Sequence, residues 1–338
     1  MKKLFLTFIV VLFCFLPFIA EAKYHIDHRI ALEGNQGWDW LILDENANRL
    51  YITRGTEVDV MDLATEKIIG TIKNLSGVHG VALVSTLHKG FVSNGKTNTV
   101  TSFDLKSYKT LSEIPVGKKP DAILYDSFSK RIFAFNGESH DSTVIDVKKD
   151  SVLQTIPLNA KPEFAVSDEK GNIFVNLEDK NSLAVMDAKQ MKLIAEWPLT
   201  PCESPSGLAI DQKNHRLFSV CENEKMIILN SDTGAFITSV SIGKKPDAAA
   251  FEPVTQLAFS PNGEGTLSVV QEKTPDQFEV IANVATQKGA RTMALNSKTH
   301  SVYLITAKFS DPLPPTATQP HPRPSILPGT VEILVMKN

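Results

Sequence analysis

Seven positions about 42 residues apart hold the groups in this sequence best suited to shared chemistry: Asp39, His79, Asp121, Glu163, Ser206, Asp247 and Arg291. Four carboxylates, one imidazole and one guanidinium on a common surface concentrate negative potential and suit a cation or a cationic ligand. Carboxylate oxygens favour a hard cation such as Ca²⁺, whereas a transition metal asks for more imidazole or thiolate than His79 supplies. The competing account is structural. Acidic side chains at a repeated position accept backbone N–H groups of their own turns, with Arg291 bridging two of them.

Two cysteines beyond the first segment form a second constellation. Cys202 stands just before one expected strand and Cys221 ends the next, so antiparallel pairing brings both to one face. A disulfide there closes a loop worth about 3 kcal/mol in the chain-entropy picture. A redox or metal-binding dithiol fits less well, because no Cys-x-x-Cys occurs and the neighbours Glu203 and Glu222 do not lower a thiol pKa.

The elements that must position these groups come from a repeat. Trp40-Leu-Ile-Leu-Asp44 followed by Leu50-Tyr-Ile-Thr-Arg54 superposes without a gap on Ala122-Ile-Leu-Tyr-Asp126 followed by Ile132-Phe-Ala-Phe-Asn136. The position of Asp44 recurs at Val84, Asp126, Asp168, Asp211, Glu252 and Asn296, a period of about 42 that matches four-stranded propeller blades. Short alternating runs such as Asn98-Thr-Val-Thr-Ser-Phe-Asp104 read as strands separated by turns. Third strands end in Asp62, Asp104, Asp146 and Asp187, where the side chain is expected to close an Asx turn. Only the last repeat lacks a fourth strand. Tyr24 to Leu32, ahead of the first repeat, resembles one and is expected to complete that blade, closing the ring and removing exposed edges.

Strands of the form Leu50-Tyr-Ile-Thr, Ile132-Phe-Ala-Phe and Val302-Tyr-Leu-Ile-Thr306, with the linkers Val116-Gly-Lys-Lys-Pro120 and Ile242-Gly-Lys-Lys-Pro246, resemble the YVTN-type β-propeller repeat. The resemblance covers essentially all of the chain after residue 22. It implies an exported, seven-bladed, all-β propeller, and members mostly lack an assigned reaction. Two departures stand out: Val84 replaces the usual acid in the second repeat, and the last repeat carries a long insertion.

In a propeller, loops gather on one face around the central channel, where binding groups concentrate. Each of the seven ring residues lies five positions before its repeat's reference residue, at the start of the innermost strand on this face. Trp38, Arg54, Asn94, Asn136, His140, Glu222 and Glu264 fall on the same face and extend the candidate pocket for a small polar ligand. His25 and His28 do not form a ligand pair, since residues three apart on a strand face opposite sides. The insertion 311–329 holds seven prolines. It is expected to overhang the mouth in extended conformations, as a lid, a docking strip or a passive loop.

Residues 1–22 read as a secretory signal peptide: Lys2 and Lys3, an apolar run, then Ala20-Glu21-Ala22. The product is expected to be periplasmic or secreted, without a membrane span once cleaved, and monomeric. The chain's formal charge of −3 becomes one unit more acidic on cleavage, which gives no footprint for nucleic acid.

The sequence therefore points to a noncatalytic binding propeller that presents an acidic channel mouth to a small cationic or metal-containing ligand or to a protein partner. The alternative is a propeller enzyme of lactonase, hydrolase or dehydrogenase type with a metal-assisted site at the mouth. Against it, there is no serine-hydrolase elbow or zinc-protease motif, and the three Trp residues form no regular blade-ending series. Fold alone does not decide between them.

Overall fold

A computed structural model of the chain describes residues 24–312 and 324–338. The signal-peptide reading and most of the proline-rich insertion fall outside these residues. The described chain forms seven four-stranded antiparallel sheets arranged as a β-propeller.

Blade one comprises Leu41–Asp44, Arg49–Arg54, Glu57–Asp62 and Lys67–Ile72. Blade two runs from Val78–Val84 to Thr110–Pro115, blade three from Pro120–Asp126 to Ser151–Pro157, and blade four from Pro162–Ser167 to Lys192–Pro198. Blade five runs from Pro205–Asp211 to Phe236–Ser241 and blade six from Ala250–Glu252 to Gln277–Ala285. In the seventh, Met293–Asn296, Ser301–Thr306 and Glu332–Lys337 are completed by the N-terminal strand His25–Ala31, which pairs antiparallel with Glu332–Lys337. This is the closure the repeat called for. Tyr24 anchors the joint, meeting Phe259 edge-on at 5.2 Å and donating its hydroxyl to the His300 carbonyl at 3.1 Å.

The turns follow from the recurring acids. Asp44 Oδ1 accepts the Asn46 and Ala47 amides at 3.1 and 3.0 Å, and Asp62, Asp104, Asp146 and Asp187 hold their own turns in the same way. Blade two, with Val84 at that position, has no carboxylate to offer. A 3₁₀ turn over Ser85–Leu87 replaces it, closed by the His88 amide on the Ser85 carbonyl.

The core lies between blades. Leu50 and Ile52 of blade one bury against Tyr303, Ile305 and Ile333 of blade seven, and Phe133 and Phe135 of blade three against Ile173 and Val175 of blade four. These seams join each sheet to the next around the axis. Cys202 and Cys221 form a disulfide that ties the entry of blade five to its second strand. The base of the proline-rich insertion rests beside the first blade. Phe309 bridges to Ile326 and packs on Trp38 at 6.2 Å, and the Gly329 amide donates to Asn35 Oδ1. Among the described residues, no helix is long and apolar enough to cross a membrane.

Candidate site at the channel mouth

The ring residues reach the channel by a local backbone device. In blades two to five the innermost strand slips register between Val78 and Val81, Pro120 and Ile123, Pro162 and Ala165, and Pro205 and Leu208. Two residues, the ring residue and the one after it, thus oppose a single partner. Such a bulge bends a strand and re-aims its side chains, here those of His79, Asp121, Glu163 and Ser206. In blades one, six and seven the innermost strand is short, and Asp39, Asp247 and Arg291 lie just ahead of it.

Hydroxyls on the second strands fix these entries. The Trp40 amide donates to Thr53 Oγ1 at 2.8 Å and the Gly80 amide to Ser93 Oγ at 2.9 Å, while Ser93 Oγ donates across to the Asp121 carbonyl of the next blade at 2.5 Å.

The ring sorts itself into local groups. His79 Nδ1 lies 2.5 Å from Asp39 Oδ2 and 3.4 Å from Asp121 Oδ1, so three successive blades meet at one imidazole. Arg291 Nε pairs with Asp247 Oδ2 at 3.2 Å. Lys161 Nζ stands 3.5 Å from Glu163 Oε2 and also pairs with Glu178. Ser206 takes no part, because its hydroxyl donates to the Pro246 carbonyl at 3.0 Å. Among the described residues, none of the four ring carboxylates accepts a hydrogen bond from its own turn, and Arg291 pairs with one carboxylate rather than two.

Burial sets the protonation of this crown. It pushes Glu163 up to about 8, with the charges of Asp121, Glu178 and Asp247 adding to the effect and Lys161 opposing it. Burial likewise raises Asp247 to about 7 against the pull of Arg291, with Asp39 and Asp121 contributing. Asp121 is held above the usual carboxylate range by burial, opposed by His79 and reinforced by Asp39. For His79, burial alone favours the neutral ring, but the Asp39 hydrogen bond and the Asp121 charge outweigh it and hold the imidazole above its ordinary value. Glu163 Oε2 is buried and has no hydrogen-bond partner.

Below the crown lies a cavity of about 510 Å³, bordered by Asp39, His79, Lys119, Asp121, Glu163, Asp247 and Arg291 at its polar end. Its walls are apolar: Ile42, Leu43, Leu83, Leu124, Tyr125 and the aromatic pair Trp40 and Phe164. Trp40 stacks on Phe164 with centroids 4.6 Å apart and planes 29° apart, joining blade one to blade four. These are not neighbouring blades, so the contact spans the channel.

Six of the seven ring positions therefore border one cavity, and Ser206 does not. Three of the other polar residues assigned to this face serve the scaffold. Arg54 is buried, donates to the Glu33 carbonyl at 2.8 Å and faces Asp59 at 3.6 Å. Asn94 is held by Thr99 and Thr101, and Asn136 by Asp141 and Thr143. Sequence reasoning missed Lys119, Lys161 and the aromatic pair. The available signal was that Trp40 and Phe164 each directly follow a ring residue.

No protein-family model and no curated protein matches the sequence. Solved structures do resemble its fold. A chain of the mitotic checkpoint complex superposes with a TM-score of 0.76 at 10% identity, covering 100% of this chain and 99% of that one. The U3-55K structure gives 0.73 at 9% identity over 90% of this chain and 98% of that one. A chain of Kuenenia stuttgartiensis hydrazine synthase gives 0.51 at 14% identity over 73% and 98%. These likenesses show the propeller.

Proposed function

We propose that this protein is an exported binding propeller of the YVTN-repeat type, whose channel mouth takes a small ligand carrying positive charge. One observation carries the reading. Four ring carboxylates border a single cavity, and three of them are held above their ordinary pKa by burial and by one another's charges. Carboxyls perturbed by burial and by one another in a cleft are the kind of groups that functional sites assemble. Export is supported by the disulfide, which belongs to an oxidising compartment, and by the signal-like first segment.

The test is thermal stabilisation by cations, with Ca²⁺, Mn²⁺, Zn²⁺ and simple organic ammonium ions as probes. At least one raises the melting temperature of the wild type and has a smaller effect on Asp121→Asn and Asp247→Asn. If no cation stabilises the protein, the reading fails.

A second reading, a metal-assisted enzyme, rests on Asp39, His79 and Asp121. One ligand atom from each lies within 4.8 Å of the others, and together they form a mixed imidazole and carboxylate set. That donor set suits Mn²⁺, Fe²⁺ or Zn²⁺ better than the all-oxygen Ca²⁺ shell. Hydrolysis of a lactone or ester that requires Zn²⁺ or Mn²⁺ and disappears in His79→Gln distinguishes it from the first reading.

A further inference from the structure

We propose that the ligand is an amphiphilic ammonium ion, a protonated amine on an apolar or aromatic body, with its charge in the crown and its body in the chamber beneath. This deepens the cation-binding reading and rests on it.

The argument starts from what the crown leaves unpaired. His79 occupies the space between Asp39 and Asp121, and Arg291 lies against Asp247. Lys161 lies closer to Glu178 than to Glu163, so Glu163 Oε2 has only a long ion pair, 3.5 Å from Lys161 Nζ, and no contact at hydrogen-bonding geometry. A buried carboxyl oxygen without a donor is costly, and an N–H donor at that point removes the cost. The elevation of Glu163 and Asp247 points the same way, since both are raised first by burial and then by neighbouring carboxylates. A cation among them relieves repulsion that the resident Lys161, His79 and Arg291 do not.

The chamber supplies the second half. Its walls below the crown are Ile42, Leu43, Leu83, Leu124, Trp40 and Phe164, and its volume of about 510 Å³ lies in the range of pockets that enclose most of a drug-sized molecule. A hydrated divalent ion or a hydrophilic polyamine leaves this apolar surface against water. An uncharged apolar molecule leaves Glu163 Oε2 with only its long ion pair to Lys161. An anion meets the carboxylates. Only a ligand with one cationic end and an apolar remainder satisfies both regions, and the aromatic pair adds π-faces for the ammonium or for a ring.

The experiment is calorimetric titration at neutral pH with butylammonium, hexylammonium and octylammonium, then with phenethylamine against 2-phenylethanol, and with Zn²⁺ and Ca²⁺ alone. Affinity is expected to rise about four-fold per methylene along the alkyl series, and phenethylamine to bind at least about ten-fold more tightly than the alcohol. Glu163→Gln is expected to remove that ten-fold preference for the amine over the alcohol. Glu163→Asp, which keeps the charge, retains the preference and shows that the pocket is intact. Binding of ammonium ions without dependence on chain length overturns the inference and leaves the cation reading standing. Equal affinity for amine and alcohol also overturns it. Binding of Zn²⁺ or Ca²⁺ without any ammonium overturns it in favour of a metal, and the absence of binding by any cation overturns both readings.

Discussion

Trp40 and Phe164 stack 4.6 Å apart across the channel, and both rings line the cavity at its mouth. The two rings come from the first and fourth blades, each from the residue that follows a ring carboxylate. The same backbone segment that aims Asp39 and Glu163 at the mouth therefore also places the rings beneath it. In Phe164 the device is visible, since Glu163 and Phe164 together oppose Asn176 in the bulge of blade four.

Phe164→Ala is expected to lower unfolding stability by about 2 kcal/mol, combining loss of a half-buried ring with loss of the aromatic pair. The variant should also change the Trp fluorescence, because Trp40 gains water on one face. Chemical denaturation followed by fluorescence measures both. A variant with unchanged stability and spectrum places no ring on Trp40.

Cation binding at the mouth should release protons. Glu163 at about 8 and Asp247 at about 7 are largely or partly protonated at neutral pH, and a cation among Asp39, Asp121 and these two favours their ionised forms. His79, Lys119 and Arg291 are the positive groups lining the same space, and Lys161 stands against Glu163 with Glu178 beside it. Affinity for hexylammonium is thus expected to rise between pH 6 and 8.5. Titration calorimetry in buffers of different ionisation enthalpy should show between about zero and one proton released near neutrality. Uptake of protons on binding contradicts this account.

Much of the scaffold was legible in the sequence because it is local or periodic. The blade period, the Asx turns and the N-terminal strand that completes the last blade each rest on residues repeated at fixed spacing. The disulfide was legible from strand order together with the oxidising compartment that the first segment implies. The content of the mouth was only half legible. The ring positions follow from the period, but which cation sits on which carboxylate depends on side-chain direction, as with Lys161, which comes from a linker outside the ring. Arg54 misled for a related reason. A guanidinium on the mouth face reads as a binding group, yet the Glu33 carbonyl and Asp59 hold it inside the blade. The Trp40 and Phe164 contact joins residues three blades apart, and no pattern along the chain announces it.

Glu272 offers a test of stability away from the mouth. It is fully buried, accepts Asn214 Nδ2 at 2.9 Å, and is pushed up to about 7 by burial and by the charge of Asp211. Its folded pKa lies above the unfolded value of about 4.3, so the folded state holds the extra proton between those values. Stability from this group is present below pH ~4 and is lost as pH rises through ~7. Glu272→Gln removes the titration and keeps the amide contact. The variant should match the wild type near pH 4.5 and exceed it by about 1–3 kcal/mol at pH 8. Denaturation curves at the two pH values decide the matter, and an equal difference at both shows that Glu272 does not titrate across this range.

The disulfide makes the last prediction. Cys202 and Cys221 are both buried, and the bridge closes a span of 19 residues that includes the whole inner hairpin of blade five. Closing a loop of this length restricts the unfolded chain by about 3 kcal/mol. Burial keeps the sulfurs from reductant until the blade opens. Cys202→Ser with Cys221→Ser is therefore expected to lower unfolding stability by about 3 kcal/mol, while dithiothreitol added to the native protein reduces the bridge only at the rate of local opening. Thiol labelling followed by mass spectrometry, with and without denaturant, measures this directly. Rapid labelling of both cysteines in the native, reductant-treated protein shows that blade five opens independently of the ring, and slow labelling that tracks global unfolding shows that the closed propeller holds it shut.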